Sequence, residues 1–148
     1  MRWRIHSGFT VSEALTAIVV LIVLGAVAVP LWRTHQLRQR RQDGIEALLA
    51  VQTAQDRHFG KHARYAAAAQ LAAPPPRGLG IEPRSKRGFY EITVTSSPDD
   101  LGYQAIARAS LLDKDSADTR CAELRLDQNG RRFAVDSAGV DRSADCWR

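Results

Sequence analysis

The sequence predicts an α+β fold in which one long N-terminal helix packs on a small antiparallel sheet of about four strands. Two patterns support this prediction. An uncharged apolar run at residues 14–32 continues into a segment with helical spacing of apolar residues, and strand-like segments with turn signals between them follow. The 148 residues leave room for one modest domain beyond the apolar run.

The first half of the predicted helix is apolar. Residues 14–32 carry no charge, and Thr16 is their one polar interruption. A membrane-spanning helix needs about 20 apolar residues, and this run nearly supplies them. Gly25 and Pro30 weaken the helix, because glycine is a poor helix former and proline removes a backbone donor. We therefore expect a kink or local melting between these two residues.

The second half of the helix, residues 33–62, is predicted to be amphipathic. Its apolar residues recur at roughly helical spacing among polar ones, so one stripe should lie on the rest of the domain. Gly60 is a plausible stop signal near the end. The predicted stripe consists of Leu37, Ile45, Leu48, Leu49, Val51 and Phe59.

The remaining residues, 63–148, are predicted to form a globular head. Alanine, proline and glycine dominate residues 63–88, which is typical of a connecting loop. Strand patterns follow at residues 89–95, 103–111, 121–127 and 131–135, and Asn129-Gly130 is a strong hairpin signal between the last two. An antiparallel meander over residues 89–135 is the simplest arrangement of these strands.

The basic excess of the chain is not spread over the head. The formal charge is +5, yet the residues from Asp43 to Arg148 carry 15 Lys or Arg and 15 Asp or Glu. This distribution indicates a basic collar at a membrane boundary rather than a nucleic-acid-binding face. Within the head, the cluster of Arg84, Lys86 and Arg87 is interpreted as a solvated loop, so DNA binding is considered but not favoured. The collar consists of Arg2, Arg4, Arg33, Arg38, Arg40 and Arg41.

The two cysteines, Cys121 and Cys146, lie in the last third of the chain with 24 residues between them. This spacing matches no metal motif. In a chain with an export or insertion signal, two cysteines favour a disulfide formed in an oxidising compartment.

Three interpretations of the N-terminal segment are open at this point. It could be a simple membrane anchor. It could also be a conventional signal peptide with an A-x-A site at residues 26–28, which would leave a soluble domain that begins at Val29. The third interpretation is a prepilin, and it depends on the residues just before the apolar run.

The stretch from Gly8 to Glu13 reads GFTVSE, follows a short leader that contains Arg2 and Arg4, and directly precedes the apolar run. It resembles the signature of the type IV prepilin family: a basic leader, a glycine, then Phe-Thr-x-x-Glu. The resemblance implies that a prepilin peptidase cuts between Gly8 and Phe9 and methylates the new Phe9 amine. Residues 1–8 would then be the leader, and residues 9–32 the transmembrane and assembly half of the helix.

The resemblance also gives Glu13 a role in subunit assembly. One helical turn rises about 5.4 Å, so the Phe9 amine and the Glu13 carboxylate lie at comparable depth. Glu13 of one subunit can therefore neutralise the Phe9 amine of its neighbour, and both charges are paired in apolar surroundings. Gly25 and Pro30 are further assembly positions, because a shape change between them would help the helix pass from membrane to fibre.

Later segments resemble PilE-type minor pilins of the same family. They are QDRHF at residues 55–59, RYA at 64–66, GFYEI at 88–92, CAELRLDQNG at 121–130 and the near-terminal Cys146-Trp147. The resemblance implies the type IV pilin fold, a disulfide that closes the loop from Cys121 to Cys146, and a structural role in priming or joining the pilus fibre. Adhesion, twitching motility and DNA uptake are the processes such fibres serve.

The partners implied are other pilin subunits, the prepilin peptidase, the assembly machinery of the inner membrane, and lipid before assembly. The implied location is the bacterial inner membrane, with a single span and a periplasmic head, and then the pilus at the cell surface. A type II secretion pseudopilin is the main alternative, and a secreted binding module with a conventional signal peptide is another.

No catalytic, cofactor or metal site is predicted. His58 and His62 have the i,i+4 spacing of a two-ligand metal patch, but no third ligand is near them in sequence. The acidic segment from Asp113 to Asp118 lacks the glycine and closing glutamate of an EF-hand loop. No nucleophile–base set or phosphate loop is present, so the chain is interpreted as the substrate of an enzyme and not as an enzyme.

Overall fold

A computed structural model describes residues 11–110 and 118–148, and the side chain of Arg33 is outside that description. The helix α1 extends over Val11–His62, and the strands are β1 (Tyr90–Ser96), β2 (Tyr103–Ala109), β3 (Glu123–Asp127) and β4 (Arg132–Val135). A short helix, α2, follows at Ser143–Cys146. The strands pair in the order β1-β2-β3-β4, and every pair is antiparallel. The predicted α+β architecture is confirmed.

The described residues fall into two compact units, one that ends at Gln36 and one that covers Leu37–Arg148. The first unit is the apolar part of α1. An 18-residue window of this helix has a mean hydropathy of 2.8, so by length and composition it can cross a membrane. The helix is continuous through Gly25 and Pro30. A change of shape between those two residues stays a prediction.

In the second unit, α1 lays one stripe against the sheet. Leu48 and Val51 are fully buried, as predicted, but Leu49 and Phe59 are 38% and 36% exposed. The prediction was wrong for these two residues, because the buried positions follow spacings of three and four along the helix. The polar residues Gln55 and His58 take the next buried places in the stripe instead.

The inner face of the sheet completes the core. Buried side chains alternate with more exposed ones along β1 and β3, as expected for a sheet with one covered face, whereas residues 105–107 of β2 are all buried. The members include Tyr90, Ile92 and Val94 of β1, Ala105 and Ala107 of β2, Leu124 and Leu126 of β3, and Ala134 of β4.

The strand boundaries differ slightly from the predicted ones. The third predicted strand began at Cys121, but a 3₁₀ turn occupies Thr119–Cys121 and β3 begins at Glu123. The turn forms because the Asp118 carboxylate accepts hydrogen bonds from the backbone N–H groups of Arg120 and Cys121. The predicted end of the second strand, Leu111, lies outside the described residues.

Gly44 lets α1 approach the sheet closely. A Cβ atom at this position would lie 2.9 Å from ring atoms of Tyr90, whose side chain is only 1% exposed. A methyl group there would therefore overpack the core.

Replacing Gly44 with alanine is expected to lower the free energy of unfolding. Overpacking costs about 1–3 kcal/mol, and the better helix propensity of alanine returns only about 1 kcal/mol. Gly60→Ala is the matched control, because a Cβ atom at Gly60 meets nothing within 4 Å. Gly60→Ala should raise the free energy of unfolding, whereas Gly44→Ala should lower it. Urea unfolding of the two variants measures both changes. Equal effects of the two substitutions would contradict the packing argument.

Candidate functional site

The residues predicted to act in subunit assembly, Glu13, Gly25 and Pro30, all lie in the apolar part of α1. Gly8 and Phe9, the predicted cleavage and methylation positions, lie outside the described residues. Glu13 is in the first turn of α1, where a carboxylate interacts favourably with the positive end of the helix dipole. A Cβ atom at Gly25 would meet nothing within 4 Å, so no contact inside the subunit requires glycine there.

The large apolar side chains of this segment are exposed in the part of the chain that the structure describes. Those between Val11 and Trp32 keep between 50% and 78% of their surface exposed. Exposed apolar surface of this extent marks a membrane- or protein-facing region.

The predicted disulfide is present in the head. Cys121 and Cys146 are bonded with a Cα–Cα distance of 5.8 Å, and both are buried. The bond joins the 3₁₀ turn before β3 to α2 and so holds the polar C-terminal segment on the sheet. Trp147 adds to this attachment, because its Nε1 donates to the Phe133 carbonyl at 2.9 Å.

An ion pair between a partly buried arginine and a buried aspartate connects α1 to the same turn. The Arg41 guanidinium bonds to both carboxylate oxygens of Asp118, and their side chains are 15% and 2% exposed. The hydrogen bond to Asp118 raises the pKa of Arg41. Since Asp118 also caps the 3₁₀ turn, one carboxylate fixes the helix, the turn and the neighbouring disulfide together.

Asp118 was predicted as the last residue of a polar loop with weak calcium-loop character. The rest of that segment, residues 113–117, lies outside the described residues. Among the described residues, no group of three or more His, Cys, Asp or Glu side chains could hold a metal ion.

The end of α1 carries a basic surface that the sequence prediction missed. Residues 57–81 contain four Lys or Arg, two His and no carboxylate, although the head as a whole is neutral. A count over this shorter window would have revealed the imbalance, which the charge summed over the head conceals. We call this surface the basic end; its members are Arg57, His58, Lys61, His62, Arg64 and Arg77.

The basic end is organised by the way α1 terminates. Ala63 has a left-handed backbone with φ of 54°, and its N–H donates to the Phe59 carbonyl at 2.8 Å, which ends the helix. The buried Gln55 then anchors the returning chain, because its amide donates to the Ala66 carbonyl at 3.0 Å and accepts from the Ala66 N–H at 2.8 Å.

The two histidines of the basic end lie side by side. The ring centroids of His58 and His62 are 4.3 Å apart, and the His62 Nε2 lies 3.1 Å from the Pro76 carbonyl oxygen. Burial lowers the pKa of His58, and the nearby charges of His62 and Arg64 lower it further.

Comparison with known proteins decides the family. Residues 30–125 match the family model described as "Type IV minor pilin ComP, DNA uptake sequence receptor". The chain is a type IV minor pilin of this family. The matched range begins at Pro30 and ends at Arg125, so the N-terminal signature and Cys146 lie outside it.

Among solved structures, this minor pilin is similar to a type IV pilin from Shewanella oneidensis. The two chains are 24% identical with a TM-score of 0.47, and the similarity covers 64% of this chain and 88% of the other. No curated protein sequence matches the chain.

Proposed function

We propose that this minor pilin is an inner-membrane subunit that is cut between Gly8 and Phe9, methylated on Phe9 and transferred into a pilus fibre through α1. The observation that carries the proposal is the uncovered apolar surface from Val11 to Trp32. Among the described residues these side chains keep half or more of their surface exposed, so the helix needs lipid before assembly and neighbouring pilin helices afterwards.

The proposed role is structural and not catalytic: the subunit primes or joins the fibre with the help of the inner-membrane assembly machinery. The head is proposed to face the periplasm, because its disulfide requires an oxidising compartment. The fibre would then carry the head to the cell surface.

Glu13→Gln tests the assembly mechanism. The variant should insert and be processed, but its incorporation into fibres should fall at least about tenfold, because it leaves the Phe9 amine of the neighbouring subunit unpaired in apolar surroundings. Incorporation is measured by quantitative immunoblot of sheared fibres against the membrane fraction. Thr16→Val, one turn along α1, is the matched control and should assemble normally. Wild-type incorporation of Glu13→Gln would contradict the charge-pairing role.

DNA uptake is the process proposed for the fibre, with the head as the part that contacts DNA. The family description names a DNA uptake sequence receptor. In this chain the support comes from the basic end, where four Lys or Arg and two His occur over residues 57–81 without a carboxylate. Such a surface attracts phosphates, and counterion release makes the binding salt-dependent.

Titration of a fluorescent DNA duplex with the full chain in a non-ionic detergent tests this contact. The affinity should fall linearly with salt on logarithmic axes. Absence of binding at low salt would contradict it.

A further inference from the structure

A small cavity of about 70 Å³ lies between the end of α1 and the loop that follows it. The helix side of the cavity consists of Ala54 and four basic residues, Arg57, His58, Lys61 and His62. Residues 75, 76, 78 and 79 form the opposite wall, and they contribute no titratable side chain. All four ionisable side chains that line the cavity are therefore basic.

The cavity has no anion of its own among its lining residues. The described residues that line it include no carboxylate, and the nearest acidic residues in sequence, Asp56 and Glu82, are not among them. The charges of Arg57 and Lys61 beside one small space attract an anion, since field lines are focused in a cleft lined by one sign of charge.

The loop wall of the cavity is fixed before any ligand arrives. The Leu79 N–H donates to the Gln70 carbonyl at 3.0 Å, and the Gln70 side chain donates to the Arg77 carbonyl at 2.8 Å. A Cβ atom at Gly78 would lie 2.2 Å from the Gln70 carbonyl oxygen, so the chain passes too closely for any other residue. A rigid wall reduces the entropy that is lost on binding.

We propose that this cavity is a phosphate subsite that receives one backbone phosphate of DNA. The inference rests on the proposed DNA contact and adds to it the place where a phosphate is held. Guanidinium and ammonium groups are strong hydrogen-bond donors to phosphate oxygens, and the cavity is lined by one residue of each type, Arg57 and Lys61, together with two histidines. The small volume admits a single phosphate group and not a base.

Binding at this subsite should be pH-dependent. Burial keeps the pKa of His58 below its ordinary value, so near neutral pH its imidazole is uncharged. The titratable and charged side chains around it are Arg57, Lys61 and His62 on α1 and Arg64 beyond the helix, and the described loop wall adds none. A bound phosphate favours the protonated imidazole, so phosphate affinity should rise as the pH falls.

The first experiment uses inorganic phosphate as the probe. The full chain, labelled at histidine and held in a non-ionic maltoside, is titrated with sodium phosphate against sodium chloride of equal ionic strength. The imidazole NMR signals of His58 and His62 should shift saturably with phosphate, and His58 should titrate at higher pH when phosphate is present, whereas the His35 signal should not respond. If no histidine responds to phosphate, the basic side chains serve only the helix end and the proposal is overturned.

The second experiment uses a DNA duplex and a matched pair of variants. Lys61→Gln should weaken DNA binding for every sequence and reduce the slope of log affinity against log salt by about 1. Lys86→Gln removes the same charge from an exposed position outside the cavity and should leave the slope unchanged.

The outcomes separate the subsite from the proposed DNA contact. If Lys61→Gln and Lys86→Gln reduce DNA binding equally, or if neither variant changes it, the phosphate subsite is refuted. The proposed DNA contact is not affected by that result. If the histidine signals respond to inorganic phosphate but the chain does not bind the duplex, DNA is not the source of the phosphate. That result also refutes the proposed DNA contact. A histidine response together with a slope change confined to Lys61→Gln supports the subsite.

Discussion

Replacing Asp118 with alanine is expected to lower the free energy of unfolding of the head by about 3 kcal/mol, the low end of the range for a buried pair, because it leaves the partly buried Arg41 guanidinium without its partner. The side chains of Arg41 and Asp118 are 15% and 2% exposed, so water cannot replace the lost carboxylate fully. The substitution also removes the acceptor for two backbone N–H groups, those of Arg120 and Cys121.

Urea unfolding of the full chain in a non-ionic detergent measures this loss. With Trp3 and Trp32 replaced by phenylalanine, Trp147 is the single tryptophan and reports on the head alone. Asp145→Ala is the matched control, since its ion pair with Arg120 spans 3.7 Å between side chains that are 50% and 68% exposed. Such a pair contributes about 0–1 kcal/mol. Equal losses in the two variants would refute the importance of the buried pair.

Removing the disulfide should cost roughly 3 kcal/mol. The bond between Cys121 and Cys146 closes a loop with a sequence separation of 25, and in the chain-entropy model that constraint destabilises the unfolded chain. A double Cys121→Ser and Cys146→Ser variant should show the loss in the same urea assay. Dithiothreitol should shift the wild-type midpoint to that of the variant and leave the variant unchanged. Coinciding midpoints for oxidised wild type and variant would contradict the prediction.

The main elements of the fold could be predicted because their signals are local. The apolar run and the helical spacing after it predict α1, and alternation with an Asn-Gly turn predicts the hairpin of β3 and β4. The stripe was predicted less well, because Leu49 and Phe59 are apolar but lie one position away from the buried spacing. Polar Gln55 is buried instead, since its amide pairs with the Ala66 backbone.

The ion pair between α1 and the turn before β3 could not be predicted from the sequence alone. Arg41 and Asp118 are separated by 77 positions, and no local pattern connects them. Arg41 was interpreted as part of the membrane-boundary collar, although its guanidinium is a buried partner inside the head. The basic end was missed for a different reason: an equal count of acids and bases over the head conceals a segment in which every charge is positive.

The central claim is that the apolar helix is kept after processing and begins at Phe9. N-terminal sequencing together with the intact mass of the chain recovered from membranes of its natural host tests this most directly. The account predicts a mature chain that starts at N-methylated Phe9 and retains the whole of residues 9–32. A chain that starts at Val29, or one that still carries Met1, would contradict it.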